Sequence, residues 1–176
     1  IHDYRLPTMA RNLTPIVLSA VGVVLSAYAV YVEHTVAHRE EHPDDFEEEY
    51  RALCDIEAIG ASCSAVFSLP EGRMLSFFGL VSKGSELDVP NAVLGVLYYS
   101  YVFLLEALSL PLPLLLTFSL NCAAIASSIF LAYKLLVLQE LCLVCWTTHA
   151  LNLSLLVWYG KRVFRGAIAK KKEKIT

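Results

Sequence analysis

Two cysteine pairs carry the reactive side chains of this 176-residue chain. Cys142 and Cys145 form a C-x-x-C at the head of the run 141–160, which contains no Asp, Glu, Lys or Arg. Thiols at the start of a helix face unpaired N–H groups and a partial positive charge, which stabilise the thiolate. The second pair, Cys54 and Cys63, lies far upstream. Because two such pairs can exchange through a mixed disulfide, we predict a relay from a soluble dithiol protein to the loop pair and then to the helix pair.

The same cysteines leave other interpretations open. A C-x-x-C with a distant second pair can bind zinc, but the spacing of Cys54 and Cys63 does not fit a zinc knuckle, so we expect no metal. Two structural disulfides in a scaffold without catalytic activity are a further alternative. The fifth cysteine, Cys122, lies in "LNCAAIASS", and small neighbours of this kind indicate a packing residue.

Long apolar runs decide the fold class. A bilayer-spanning helix needs about 20 apolar residues, and the sequence predicts four such spans within a single membrane domain, 1–176. The spans are expected at about 13–33, 90–108, 112–136 and 142–161. Pro111 and Pro113 interrupt the apolar sequence between the second and third spans. A soluble helical protein is the weaker interpretation, because its helices would carry a polar face. We therefore predict an all-α membrane protein, a bundle of four transmembrane helices.

Charge predicts the orientation of these spans. The tail 162–176 is basic, Arg5 and Arg11 precede the first span, and the loop 34–89 is acidic around 40–49. By the positive-inside rule, both termini are cytosolic and the loop is lumenal. Both cysteine pairs then lie on the lumenal side, where disulfides persist.

We expect a multi-pass protein of the endoplasmic reticulum membrane. Lys172 and Lys174 stand where a dilysine retrieval signal can occur, and a basic tail flanking the membrane is an equally good interpretation. Nothing in the sequence indicates nucleic-acid binding.

Four motifs, taken together, resemble the vitamin K epoxide reductase family. They are "YRALCDI" at 50–56, "SCSAVFS" at 62–68, "PNAVLG" at 90–95 and "CLVCWTTHALNLSL" at 142–155. They occur in the family's order, and the resemblance covers about residues 13–160. It implies a four-helix membrane bundle that holds a quinone near its lumenal face, beneath a loop that carries the second cysteine pair and forms a cap.

The resemblance also implies roles for the cysteines. Cys145 is expected to attack the quinone or epoxide carbon, and Cys142 to resolve the adduct. Cys63 is expected to exchange with the helix pair, and Cys54 to meet a lumenal thioredoxin-like protein-disulfide oxidoreductase.

The implied substrate pocket involves four further residues. Asn91 is expected to hydrogen-bond one quinone oxygen, and Phe67 and Leu94 to line the apolar pocket or its cap. His149 stands where the family has a tyrosine that hydrogen-bonds the other oxygen. The cap segment, 65–81, lacks the family's tryptophan.

The predicted activity is reduction of vitamin K epoxide to the quinone and on to the hydroquinone. The lipid-soluble quinone is the substrate, no tightly bound cofactor is expected, and coumarin-type inhibitors are expected to be able to bind. The alternative within the family is a quinone-dependent enzyme that forms disulfides in secreted proteins. The lack of a fused thioredoxin domain and the eukaryote-like loop favour the first function.

Overall fold

The computed structural model describes residues 13–42, 50–67, 69–111 and 113–173. Arg5, Arg11, Lys174 and most of the acidic segment 40–49 lie outside these ranges. The described chain is helical, and its only extended pairings are the isolated bridges Ile56–Ala61 and Ala61–Leu141. The predicted all-α class is therefore confirmed for the described residues.

Four long helices make up the body of the molecule. They are α1 (Leu13–Glu41), α4 (Asn91–Ala107), α5 (Leu114–Leu138) and α6 (Leu143–Glu173). Two short helices, α2 (Cys63–Phe67) and α3 (Met74–Phe77), lie in the segment between α1 and α4, together with 3₁₀ turns at Glu57–Ile59 and Pro70–Gly72.

Local sequence explains where the helices begin and end. α4 starts directly after Pro90 and α5 directly after Pro113, positions where the missing proline N–H has no helical partner to lose. After α4 the chain turns at Ser109, whose φ is 53°. Gln139 adopts a left-handed conformation and closes α5, with its N–H on the Leu136 carbonyl. The chain is thus reversed twice, which brings α6 back along α5.

The helices pack as two main pairs, α1 with α4 and α5 with α6, and α1 also contacts α6. Glycines allow the first pair to approach closely. A Cβ on Gly22 would lie 2.4 Å from the Tyr99 ring, and one on Gly95 would lie 2.6 Å from the Ser26 Oγ. These small positions are typical of helix contacts in membranes.

Buried polar side chains connect the two helix pairs. The Tyr99 hydroxyl of α4 donates to Asn152 Oδ1 of α6 at 2.6 Å, and Asn152 Nδ2 donates to Ser128 Oγ of α5 at 2.9 Å. At the other end of α4, Glu106 accepts from Tyr159 and Arg162 of α6. These bonds fix the rotation of three helices about one another.

Two helices of the described chain, Leu13–Arg39 and Leu114–Leu138, are long and apolar enough to cross a membrane, and α4 is a shorter apolar helix. The predicted spans and the helices differ mainly at two ends. α1 continues eight residues beyond the predicted boundary at 33, and α6 continues from 161 to 173. The reason is that leaving a bilayer does not end a helix, and Lys, Arg and Ala are good helix formers.

Candidate functional site

The outer cysteine pair, Cys54 and Cys63, forms a disulfide with a Cα–Cα distance of 5.8 Å. Cys63 is fully buried, whereas Cys54 is 8% exposed. Cys54 is also contacted from α1, because the Tyr28 hydroxyl lies 3.9 Å from its Sγ and accepts the Leu53 N–H at 2.8 Å. Cys54 is therefore the more exposed of the two cysteines in this disulfide.

Asp55 holds the backbone around the outer pair. Its carboxylate accepts the N–H groups of Ala52, Cys63 and Ser64, and also the Ser64 hydroxyl. Burial alone would raise the pKa of Asp55, but these hydrogen bonds outweigh it and lower the pKa below its ordinary value. Asp55 is therefore ionised at neutral pH and fixes the start of α2, where Cys63 lies.

The inner pair, Cys142 and Cys145, is also a disulfide, with a Cα–Cα distance of 5.3 Å. Cys142 immediately precedes α6, and its Sγ accepts the Cys145 N–H at 3.2 Å. This is the geometry of a helix N-cap with sulfur as the acceptor. The predicted position of the C-x-x-C at a helix start is thus observed.

The two pairs touch each other. Cys142 Sγ lies 3.8 Å from Cys63 Sγ, and both residues are fully buried. The contact is aligned by the backbone beside it, where Ser62 N–H donates to the Leu141 carbonyl at 3.0 Å. One sulfur of each disulfide therefore faces the other disulfide across a dry contact.

A largely apolar cavity of about 740 Å³ lies among α1, α4, α5, α6 and the segment 66–80. Cys145 lines this cavity, and Cys142 is not among its lining residues. The structure also brings four other predicted site residues to its wall: Phe67, Asn91, Leu94 and His149. The two residues of the inner pair thus have different neighbours: Cys145 borders the cavity, and Cys142 contacts Cys63.

His149 is the polar cavity residue with the clearest capacity for a ligand. Both of its ring nitrogens are buried and have no hydrogen-bond partner among the described residues. The ring lies edge-on to Trp146, with 5.9 Å between ring centroids. Since an unpaired buried polar group is costly, this ring is suited to bond a ligand oxygen.

Asn91 is more constrained than the sequence indicated. Its Oδ1 accepts the Met74 N–H at 3.0 Å, and its Nδ2 donates to the Glu71 carbonyl at 2.8 Å. The side chain therefore ties the start of α4 to the segment that covers the cavity. One amide N–H and one lone pair remain for a ligand. Its expected bond to a quinone oxygen stays a prediction.

Charged residues that the sequence analysis missed stand at the cavity wall. Glu71 pairs with Lys134 of α5 at 2.9 Å, and Glu33 of α1 lies 3.8 Å from Arg73. Lys134 also lies over the Phe77 ring, 5.6 Å from its centroid. One signal for Lys134 was available, because it is the only charged residue in the predicted span 112–136, and charges within spans are commonly functional.

Ligand atoms of Cys54, Asp55 and Cys63 lie within 4.8 Å of one another, the one such trio found among the described residues. In this disulfide form the two sulfurs are bonded to each other, and the Asp55 carboxylate is occupied by backbone and hydroxyl donors. The trio is therefore not a metal-ligand set in the oxidised protein. Cys122 is unpaired and exposed on α5.

The fold and the site define a helical membrane protein with two adjacent redox-capable disulfides beside an apolar cavity. Residues 13–159 match the model of the vitamin K epoxide reductase family. The chain is 35% identical over 157 residues to the vitamin K epoxide reductase complex subunit 1 of Mus musculus, covering 86% of this chain and 90% of the mouse protein. The Rattus norvegicus protein of the same name is 35% identical over 151 residues, covering 83% and 86%.

The chain belongs to the vitamin K epoxide reductase family. The resemblance drawn from the four sequence motifs is confirmed.

Proposed function

We propose that this protein is a membrane-embedded thiol–disulfide oxidoreductase that reduces vitamin K epoxide to the quinone and the quinone to the hydroquinone. The observation that carries the proposal is that the two cysteines of the inner pair have different neighbours. Cys145 lines the apolar cavity, and Cys142 lies 3.8 Å from Cys63. A substrate in the cavity and a donor at the outer pair can therefore both act on a single disulfide. The names of the mouse and rat relatives support the substrate.

Electrons enter through the outer pair. A thiolate of a lumenal thioredoxin-like protein attacks Cys54, the S–S bond to Cys63 breaks, and Cys63 leaves as a thiolate. Cys63 then attacks Cys142 and releases Cys145 as a thiolate beside the cavity. The partner's second thiol frees Cys54, which attacks Cys63 and releases Cys142. The partner becomes a disulfide, and the inner pair becomes a dithiol.

The reduced inner pair acts on the substrate. The Cys145 thiolate attacks a ring carbon of the bound epoxide or quinone, and Cys142 then attacks Cys145 and expels the reduced substrate. Two electrons pass to the substrate, the inner disulfide forms again, and the epoxide oxygen leaves as water. His149 and the remaining N–H of Asn91 donate to the oxygens on which negative charge develops. Phe67 and Leu94 contact the apolar ring.

The proposal includes four membrane spans, formed by α1, α4, α5 and the first half of α6, with both termini cytosolic. The chain would reside in the endoplasmic reticulum membrane. The acidic surface then faces the lumen, where the partner dithiol is found, and the basic second half of α6 lies at the cytosolic surface. Coumarin-type inhibitors would occupy the same apolar cavity as the quinone.

The experiment is an assay of the purified protein in lipid nanodiscs with a small dithiol as electron donor. Vitamin K epoxide, vitamin K and ubiquinone are offered separately, and the quinone products are measured. We expect turnover of the first two, lost by a factor of roughly 10³ or more in Cys145→Ala, which removes the nucleophile. Cys122→Ala is the matched control, because Cys122 is an unpaired thiol of the same protein away from the cavity wall.

Two outcomes would contradict the proposal. Turnover of ubiquinone alone would favour a disulfide-forming enzyme of oxidative folding. Equal quinone turnover in the wild type and Cys145→Ala would favour a scaffold with structural disulfides.

A further inference from the structure

The outer disulfide has a carboxylate beside both of its sulfurs. Oxygen of Asp55, Sγ of Cys54 and Sγ of Cys63 all lie within 4.8 Å of one another. The carboxylate cannot swing away, because three backbone N–H groups and the Ser64 hydroxyl hold it. Its lowered pKa keeps it negative across the physiological range. A reduced outer pair would therefore meet a fixed negative charge.

The inner disulfide lies in the opposite electrostatic setting. Cys142 Sγ accepts the Cys145 N–H at the N-terminus of α6, a helix of 31 residues. The N-terminal end of such a helix carries a partial positive charge that favours an anion. Among the described residues, the grouping of sulfur with carboxylate occurs at the outer pair and not at the inner one.

We propose that Asp55 directs electrons from the outer pair to the inner pair by making a thiolate unfavourable at Cys54 and Cys63. This rests on the function proposed above. When the partner attacks Cys54, the S–S bond breaks and Cys63 departs as a thiolate next to the carboxylate. The thiolate lone pair of Cys63 then forms the Cys63–Cys142 bond, the Cys142–Cys145 bond breaks, and its bonding pair leaves on Cys145. Negative charge thus moves from a site that disfavours it to one that favours it.

The magnitude is sufficient to matter. One unit charge at this distance changes the ionisation equilibrium of a thiol by a factor of roughly four even in a water-like dielectric, and by more in a buried site. A more basic thiolate is also the stronger nucleophile, and a more acidic thiol is the better leaving group. Asp55 therefore acts through the sulfurs, as a positioning and tuning residue.

Other titratable groups surround the outer pair. The Tyr28 hydroxyl of α1 lies 3.9 Å from Cys54 Sγ, and Tyr50 packs on the same cluster. Arg51 and Glu57 form an ion pair at the surface, with exposed fractions of 67% and 76%. A pH experiment must therefore separate Asp55 from these groups.

The test compares Asp55→Asn with the wild type, and Glu57→Gln serves as the matched acidic control at the surface. The intact protein is equilibrated in dithiol/disulfide buffers without quinone, and mass spectrometry counts alkylation of each cysteine pair separately. Near pH 9, Asp55→Asn should shift the exchange equilibrium between the pairs roughly fivefold toward the outer dithiol, equal to about 20 mV. At pH 6 the shift should vanish, because the outer thiols are then protonated in both proteins. Glu57→Gln should match the wild type at both values.

A shift of the same size at both pH values would mean altered packing and would overturn the proposal, as would no shift at pH 9. If Asp55→Asn fails to fold, the wild type provides a second measurement. The proposal expects that the reduced inner pair holds one thiolate and that the outer thiols stay protonated. The exchange equilibrium should then shift about tenfold toward the inner dithiol for each pH unit above 7. An exchange equilibrium independent of pH overturns the proposal.

These measurements use no quinone, so they can succeed where the quinone assay fails. Loss of quinone turnover with an intact pH-dependent exchange would reject the proposed substrate and keep the role of Asp55. The reverse result would keep the substrate and reject that role.

Discussion

The two cysteine pairs both form disulfides but are held in place by different interactions. The outer pair lies in a short irregular segment, which is fixed by backbone hydrogen bonds donated to the Asp55 carboxylate and by contact with Tyr28. The inner pair stands at the start of the longest helix in the described chain, so regular backbone structure fixes it. A loop held by polar side chains can present Cys54 to a protein partner, and a helix end can present Cys145 to a membrane cavity.

The comparison also shows what the pairs share. In each pair, one cysteine is fully buried at the common contact. Of the other two, Cys54 is slightly exposed and Cys145 lines the cavity. In the proposed relay, the 3.8 Å contact between Cys63 and Cys142 is the feature that joins the two disulfides into one path.

Removing Cys63 should have the largest effect, because it breaks the path and leaves both ends intact. In Cys63→Ser, quinone turnover driven by a thioredoxin-like protein should fall by a factor of roughly 10³, as expected when an essential nucleophile is lost. A small membrane-permeant dithiol should still drive turnover, since it can reduce the Cys142–Cys145 disulfide directly. Turnover with each donor is measured in nanodiscs.

Cys122→Ser provides the control and should behave as the wild type with both donors. If Cys63→Ser also loses turnover with the small dithiol while Cys145 remains reactive toward alkylation, the order of the relay is wrong.

The next effect concerns the cavity end of the path. His149→Phe keeps an aromatic ring at this position but removes both ring nitrogens. Quinone turnover with a small dithiol should therefore fall roughly tenfold to hundredfold, the range expected when one donor to a developing oxyanion is lost. His149→Gln should retain more activity, because its amide can donate. Reduction of the outer pair by a protein dithiol should be unchanged in both variants. Equal turnover in His149→Phe and the wild type would give the ring a packing role.

Helix positions were predictable from sequence where a local signal marks them. Pro111 and Pro113 indicated an interruption between the second and third spans, and α5 begins at Leu114, directly after Pro113. The C-terminal ends of α1 and α6 were not predictable, because composition indicates which residues meet lipid and not where the helical hydrogen bonds stop. The hydropathy of the sequence does not indicate that α6 continues to residue 173.

The site was predictable in its residue types but not in its contacts. The motifs led to Cys145, His149 and Leu94, which share one cavity wall. They gave no indication that Asn91 holds Glu71 and Met74, because that contact joins positions 17 and 20 residues apart with no periodic signal. Asp55 was missed for a related reason: an acidic residue in an acidic loop looks like a solvated one.

Close packing between α1 and α4 offers a smaller effect, which is measured as stability. Gly22→Ala places a methyl group 2.4 Å from the Tyr99 ring, whose hydroxyl bonds Asn152. Displacing this ring should lower the free energy of unfolding by about 1–3 kcal/mol. Gly166→Ala is the matched control: its Cβ meets nothing within 4 Å, and alanine favours a helix by about 0.5–1 kcal/mol. In detergent, the midpoint of thermal unfolding should be lower for Gly22→Ala than for Gly166→Ala. Equal midpoints would contradict the close approach of α1 and α4.

The smallest predicted effect concerns the ion pair between Glu71, in the segment that covers the cavity, and Lys134 of α5. The hydrogen bond from Lys134 lowers the pKa of Glu71 below its ordinary value of 4.5, so the pair stabilises the fold above that pH, and the contribution is lost as the pH falls through the folded pKa. The Lys134 side chain is 32% exposed, which limits the gain to about 0.2–1 kcal/mol. Lys134→Met should therefore be less stable than the wild type at pH 7, and the difference should shrink as the pH falls below 4.5 and through the folded pKa of Glu71. Arg51→Met, at the more exposed pair with Glu57, should change stability less. A difference for Lys134→Met that does not shrink as the pH falls through the folded pKa of Glu71 would assign the effect to the packing of the lysine side chain on Phe77 and Phe130, and not to its charge.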